Sequence, residues 1–509
     1  MANRMQKSII NAEVNLLFYF LSLFLAFFSR KIFLQCLGDE FIGLSGTLGN
    51  ILGYLNLAEL GIGSCISFFL YKPLQANNRN SITEIMSVFG YLYRIIGIII
   101  LFAGAIISIS FPWIFNGIEL SLKIVYFSFY VFLCSSLIGY FINYRQILLT
   151  ADQKNYIVAI YFQTAGIVKT AVQIYLALRY KNVYLWITIE FFFSIIQCII
   201  LNWKIHKVYP WLNTNKSKGR LLLKKYPSIL SNTKQIFIHQ IKDFVLKKSD
   251  ELFIFLFVSL KMVAFYGNYI MITSKISLLF NSALDSVNAG VGNLVAEGDK
   301  NKMLSVFWEL MTIRHFVAGL LCFSIYYSIE PFISLWLGRE YILNHNILIL
   351  LIIYIYITNS RGVVDIYNHA HGLYSDVWSA WTELIINVTI TIFGGLLWGI
   401  IGILLGKIVS LTFIVIFWKP YYLFSSGLHL PVSLYWKGAI KYYIIFAISF
   451  IISTYITKAL PISPYASYLS WLLFSSISVV SYIIINIMLL WFFANGGREC
   501  FNRIKNFRK

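Results

Sequence analysis

Long apolar runs, each about as long as a bilayer is thick, alternate with short polar turns from one end of the chain to the other. A helix crossing the hydrocarbon core needs about 20 mainly apolar residues. In lipid every backbone N–H and C=O has to be bonded within the segment, so runs of this length are helices. The pattern predicts fourteen spans, near residues 13–34, 42–70, 85–111, 122–147, 156–178, 183–203, 234–258, 262–294, 303–328, 344–368, 377–398, 399–418, 438–458 and 468–493. Gly394-Gly395 and Gly399 supply the only break between the eleventh and the twelfth. No polar stretch is long enough to hold a soluble domain. The fold class is therefore an all-α polytopic membrane protein with about 14 transmembrane helices.

Composition agrees with the pattern. Of 509 residues, 59% are hydrophobic and 12% charged, far from the balance of a soluble protein. Lys and Arg number 41 against 21 Asp and Glu. In a soluble chain that excess would point to nucleic acid; here it belongs to loops, because cytoplasmic loops collect Lys and Arg. Eight basic residues, from Lys204 to Lys234, lie between Trp203 and Ile241 with no acid among them. That segment is expected in the cytoplasm, as is the tail with Arg498, Arg503, Lys505, Arg508 and Lys509. An even number of spans then places both termini inside and Asp39 and Glu40 outside. The long first apolar run, with no small-residue cleavage site, is expected to be a retained span. The six cysteines are scattered without metal or disulfide spacing, so no metal site is expected.

The polar residues inside the apolar runs are the informative ones, since charge in hydrocarbon is expensive and marks pathways. The stretch Arg30–Leu74 places Arg30 and Lys31 at a span edge, then Asn50, Asn56 and Glu59 within the next run. The seventh span is the most polar: Asp243, Lys247, Asp250 and Ile254 share one helical face, which predicts a wet lumen on that side. Self-neutralisation of Lys247 by Asp243 and Glu251 at one-turn spacing is the competing expectation. Lys169 lies in the fifth span. Arg314 lies in the ninth, about 16 Å from its start at 1.5 Å per residue. Arg30, Lys169, Lys247 and Arg314 are the candidate ligands of an anionic cargo. Asp250, Asp243, Glu59 and Asp285 are the candidate ion-coupling acids; Glu190 and Glu383 are further acids within the runs, and for each of Glu59, Glu190, Asp285 and Glu383 packing is as good an explanation. No P-loop, HExxH or GxSxG occurs, so no catalytic residue and no cofactor is expected.

With these residues in view, the chain resembles the polysaccharide-repeat-unit flippases of the multidrug/oligosaccharidyl-lipid/polysaccharide exporter superfamily. The resemblance is carried by LGDEFIGLSGTLGNILGYLNLAELGIG with LYKPL, ADQKNYIV at 151–158, VAFYGNYIMI at 263–272, VGNLVAEGDKNK at 291–302, ISLWLGREYIL at 333–343 and the stretch 371–410. It implies two six-helix lobes in a V with two additional C-terminal helices: residues 1–203, a basic linker 204–233, a second lobe 234–420 and the remainder 421–509. It also implies an undecaprenyl-diphosphate-linked oligosaccharide as cargo, H+ or Na+ as the coupled ion, membrane lipids and polysaccharide polymerase machinery as partners, no nucleic acid, and a bacterial inner membrane. The family pattern has one acid near Asp250, whereas this chain carries Lys247-Lys248 and Asp250-Glu251 there. Three rivals differ in site chemistry. A cation-coupled multidrug exporter of the same superfamily would want an acidic pocket. A membrane polymerase or glycosyltransferase would want a large external loop, and a non-transporting scaffold gives buried charge no purpose.

Overall fold

The computed structural model describes the chain except residues 1–3, 60–61, 230–232, 234–243, 247, 285–286, 374 and 508–509, and gives the backbone alone for 4–12, 58, 64, 282–283, 288–289, 501 and 504–507. Among the described residues the secondary structure is helical throughout. The principal helices are α1 (Arg4–Leu37), α2 (Asp39–Leu55), α3 (Ile62–Gln75), α4 (Arg79–Ile109), α5 (Leu122–Phe141), α6 (Asn155–Tyr180), α7 (Val183–Val208) and α8 (Asp250–Phe257). They continue with α9 (Leu260–Leu284), α10 (Lys300–Trp336), α11 (His345–Ser360), α12 (Val377–Trp398), α13 (Ile400–Leu411), α14 (Val432–Lys458) and α15 (Tyr468–Phe493). Twelve described helical stretches are long and apolar enough to cross a membrane. The chain is a multi-pass membrane protein, and its contacts divide it into two compact units, Met1–Ala264 and Phe265–Lys509.

Two expected spans account for the difference from fourteen. The seventh, 234–258, falls in part on residues outside those described, and its described remainder includes the short helix α8. The second, 42–70, is corrected: it is not one helix but α2 and α3, with a 3₁₀ turn at Asn56–Glu59 between them. The apolar run hides this break because Leu55, Leu57 and Leu60 keep its hydropathy high. Polar side chains in the turn bond to neighbouring helices. Asn56 Oδ1 accepts from Ser136 Oγ of α5 at 3.3 Å, and Glu59 accepts from the Tyr93 hydroxyl of α4.

Close backbone approach organises both units. In the first, α2 turns Gly43, Gly46, Asn50 and Gly53 to one side, at helical spacing. A methyl on Gly43 would lie 1.9 Å from the Leu260 carbonyl oxygen, and one on Gly53 would lie 2.9 Å from the Phe244 ring. Small residues let helix backbones approach where lipid supplies no hydrophobic drive for association. The basic segment packs on α4: Gly219 sits against Tyr91, and Lys225 and Tyr226 both bond Glu84, at 2.6 and 2.7 Å. In the second unit α12 and α13 form a tight antiparallel pair. Gly399 turns the chain with φ 56° and ψ −129°, a conformation that only glycine adopts readily. Gly402 then packs directly on the Gly394 backbone.

Candidate functional site

In the first unit the polar residues of α2 and α8 meet. Asn50 Nδ2 donates to Glu251 Oε2 at 2.5 Å, joining residues 201 positions apart. Gly46, one turn before Asn50, leaves room for the carboxylate: a methyl there would lie 3.2 Å from Glu251 Oε2. Arg30, Lys248 and Asp250 act electrostatically on the same carboxylate. Arg30 also donates from its guanidinium to the Ala264 carbonyl at 3.0 Å, tying α1 to the first turns of α9. Arg30, Asp250 and Glu251 therefore share one neighbourhood, with Asn50 as the neutral member that satisfies the acid. Charge-assisted hydrogen bonds of this kind are about twice as strong as neutral ones.

The expected wet face of the seventh span looks different where it is described. Asp250 and Ile254 are buried at 7% and 0% exposure, and Phe255 on the other side is buried as well. Both sides of α8 are packed at this level. Lys247, Asp243 and Asp285 lie outside the described side chains. Lys169 pairs with Glu190 across α6 and α7 at 2.6 Å, and Gln173 Nε2 donates to the second oxygen of Glu190 at 3.2 Å. Lys169 is thus engaged within its own helix pair rather than grouped with Arg30. Glu59 holds its carboxylate toward the Tyr93 and Tyr140 hydroxyls at the break between α2 and α3.

In the second unit Arg314 of α10 is buried at 4% exposure. Its guanidinium donates to Asn281 Oδ1 of α9 at 2.8 Å, and Asn281 Nδ2 donates on to Asn359 Oδ1 of α11 at 3.0 Å. Gly362 lies against the guanidinium; a methyl there would be 2.7 Å from its central carbon. Three helices thus hold a buried cation by an amide relay. Sequence reasoning identified the arginine, but not the two asparagines that orient it.

A second polar seam was weighed only through Glu383. Ser379, Glu383, Asn387 and Thr391 recur every fourth residue along α12, and all four are buried. The facing helix α13 answers with Gly402, Gly406, Lys407 and Ser410, also buried. Lys407 Nζ lies 5.0 Å from the centre of the Tyr354 ring, and among the described residues neither amide atom of Asn387 has a hydrogen-bond partner. The four-residue spacing was the signal in the sequence. At the seam's end, Asp376 accepts from Ser379 Oγ at 2.9 Å, Trp418 Nε1 at 3.1 Å and Lys419 Nζ at 2.7 Å. Burial alone would raise the Asp376 carboxyl, but the Lys419 ammonium and these donors outweigh it and hold it below its ordinary value.

No protein-family model matches the chain, and no curated protein does. Solved structures do. The chain is similar to a lipid II flippase MurJ in an inward closed conformation, with TM-score 0.67 and 16% identity over 95% of this chain and 98% of that one. It is also similar to an inward-facing multidrug resistance MATE family transporter of the MOP superfamily, with TM-score 0.54 and 14% identity over 76% of this chain and 92% of that one. The fold is thus the one shared by these transporters.

Proposed function

We propose that this chain is a flippase that carries an oligosaccharide linked to undecaprenyl diphosphate across a bacterial inner membrane, by ion-coupled alternating access. It is a transporter rather than an enzyme, with both termini cytoplasmic. The observation that carries the reading is the buried Arg314 guanidinium, held by Asn281 and Asn359 inside lipid-length helices. A buried arginine is costly unless it serves a pathway or a structural pair, and its planar fork matches a phosphate oxygen pair. In this reading Arg30, Lys169 and Lys247 of the first unit and Arg314 of the second are each candidate ligands of the anionic lipid carrier, and Lys169 acts from its pair with Glu190.

Ion coupling is assigned to acidic residues of the helices. Asp250 is the candidate titrating group, with Asp243, Glu59 and Asp285 as further candidates, and Glu251 joins them because its carboxylate bridges α8 to Asn50. A proton or Na+ at Asp250 or Glu251 would change the charge that Arg30 meets and so bias the two access states. The similarity to a lipid II flippase over nearly the whole length supports a lipid-linked cargo. The similarity to a multidrug transporter supports the second reading, export of a cationic drug; the buried Arg314 weighs against it.

The test is made in cells. Depletion of the protein is expected to accumulate lipid-linked oligosaccharide on the cytoplasmic leaflet while susceptibility to cationic drugs stays constant. Raised drug susceptibility without accumulation would favour the exporter reading instead.

A further inference from the structure

Apart from the charged groups, the second unit carries an aromatic groove of about 500 Å³ between α12, the turns after α13, and α14. Its walls include Trp378, Thr382, Phe413, Phe417, Trp418 and Trp436, and among the described residues no acid lines it. The walls are braced. Trp378 and Trp418 meet edge to face at 4.5 Å, and Phe417 packs on Trp436 at 5.4 Å. Asp376 fixes Trp418 through its indole N–H while pairing with Lys419. The ion pair thus acts together with the Trp378 and Tyr422 rings to position the Trp418 ring in this apolar surface.

Two features say what fills the groove. It is open and is formed by helices that cross the bilayer, so the fluid at this depth is hydrocarbon. Beside it stand two bases and one acid: Lys419, which borders Trp418 and pairs with Asp376, and Lys437, which follows Trp436 in the chain and is exposed. Tryptophan concentrates where acyl chains meet headgroups, and basic pockets between spanning helices at that level take anionic headgroups. We infer that the groove is a binding site for one acyl chain of an anionic phospholipid, with its phosphate beside Lys419 and Lys437. The occupant belongs to the surrounding bilayer and is separate from the transported lipid.

The test is native mass spectrometry of the full-length protein in mild detergent, titrated with phosphatidylglycerol or with phosphatidylcholine of the same chains. The wild type is expected to retain one phosphatidylglycerol, with about fivefold or greater preference over phosphatidylcholine. Thr382→Trp fills the groove and is expected to lose about tenfold in retention at an unchanged thermal midpoint. Lys437→Gln is expected to bind both lipids alike. Should Thr382→Trp fail to accumulate, Trp436→Ala removes a wall and is expected to show the same loss. Equal retention of both lipids by the wild type would overturn the inference. So would undiminished retention in a folded groove variant, or a groove occupied by an isoprenoid lipid or by a second copy of the chain.

Discussion

Asn50 donates to Glu251 at 2.5 Å, and this bond joins α2 to α8. Replacing Asn50 by Leu leaves a half-buried carboxylate without its donor, which costs about 1–3 kcal/mol. Asn50→Leu is therefore expected to lower the thermal midpoint in detergent, and Glu251→Gln in the same background is expected to restore part of it. A double mutant no more stable than Asn50→Leu would show that the pair does not act as a unit.

Glycine positions on α2 give a graded prediction. Gly43→Ala drives a methyl to 1.9 Å from the Leu260 carbonyl, whereas Gly49 has nothing within 4 Å of the same methyl. The first substitution is expected to destabilise by about 1–3 kcal/mol through overpacking. The second is expected to be neutral or stabilising by up to about 1 kcal/mol through helix propensity. Thermal midpoints of the two variants measured side by side decide it.

Gly362 is predicted to control Arg314 at one remove. A methyl 2.7 Å from the guanidinium carbon displaces that group from Asn281. Gly362→Ala should lower transport about as much as Arg314→Lys and less than Arg314→Ala, at equal protein level. Transport equal to wild type in Gly362→Ala would place the working position of Arg314 elsewhere.

The Asp376–Lys419 pair sets a pH dependence. Asp376 is held below its ordinary value of 3.8 despite burial, by Lys419 and its other donors. A carboxyl whose folded value is depressed adds stability that is present above 3.8 and fades as pH falls through the folded value. The midpoint difference between the wild type and Asp376→Asn should therefore be constant from neutral pH down to about 4 and shrink below it. A difference that grows on acidification would contradict the assigned pairing.

Much of the fold was legible because the bilayer imposes it. Lipid demands apolar length and internal hydrogen bonding, so the ends of helices such as Val377–Trp398 and Tyr468–Phe493 coincide with the apolar runs. The break at Asn56–Glu59 was not legible, because hydropathy averages over the leucines around it and the partners of Asn56 and Glu59 come from α4 and α5. The candidate cations divide for the same reason. Arg314 stands out by depth alone, but whether a lysine has an acid beside it is decided by tertiary contact. Lys169 finds Glu190 on the next helix, 21 residues on. The spacing of Ser379, Glu383, Asn387 and Thr391 was present in the sequence; only the facing glycines of α13 make it a buried seam.

The central claim is that a buried cation in this fold serves a diphosphate-bearing cargo. It is tested most directly by reconstituting the purified protein in proteoliposomes with a fluorescent undecaprenyl-diphosphate oligosaccharide and following its movement between leaflets. The wild type is predicted to accelerate flipping and to respond to an imposed H+ or Na+ gradient. Arg314→Ala, inserted to the same level, is predicted to lose about ten- to hundredfold, the worth of one charged hydrogen bond of about 1.5–3 kcal/mol. Flipping by Arg314→Ala at the wild-type rate, or no flipping by the wild type under either gradient, would contradict the account.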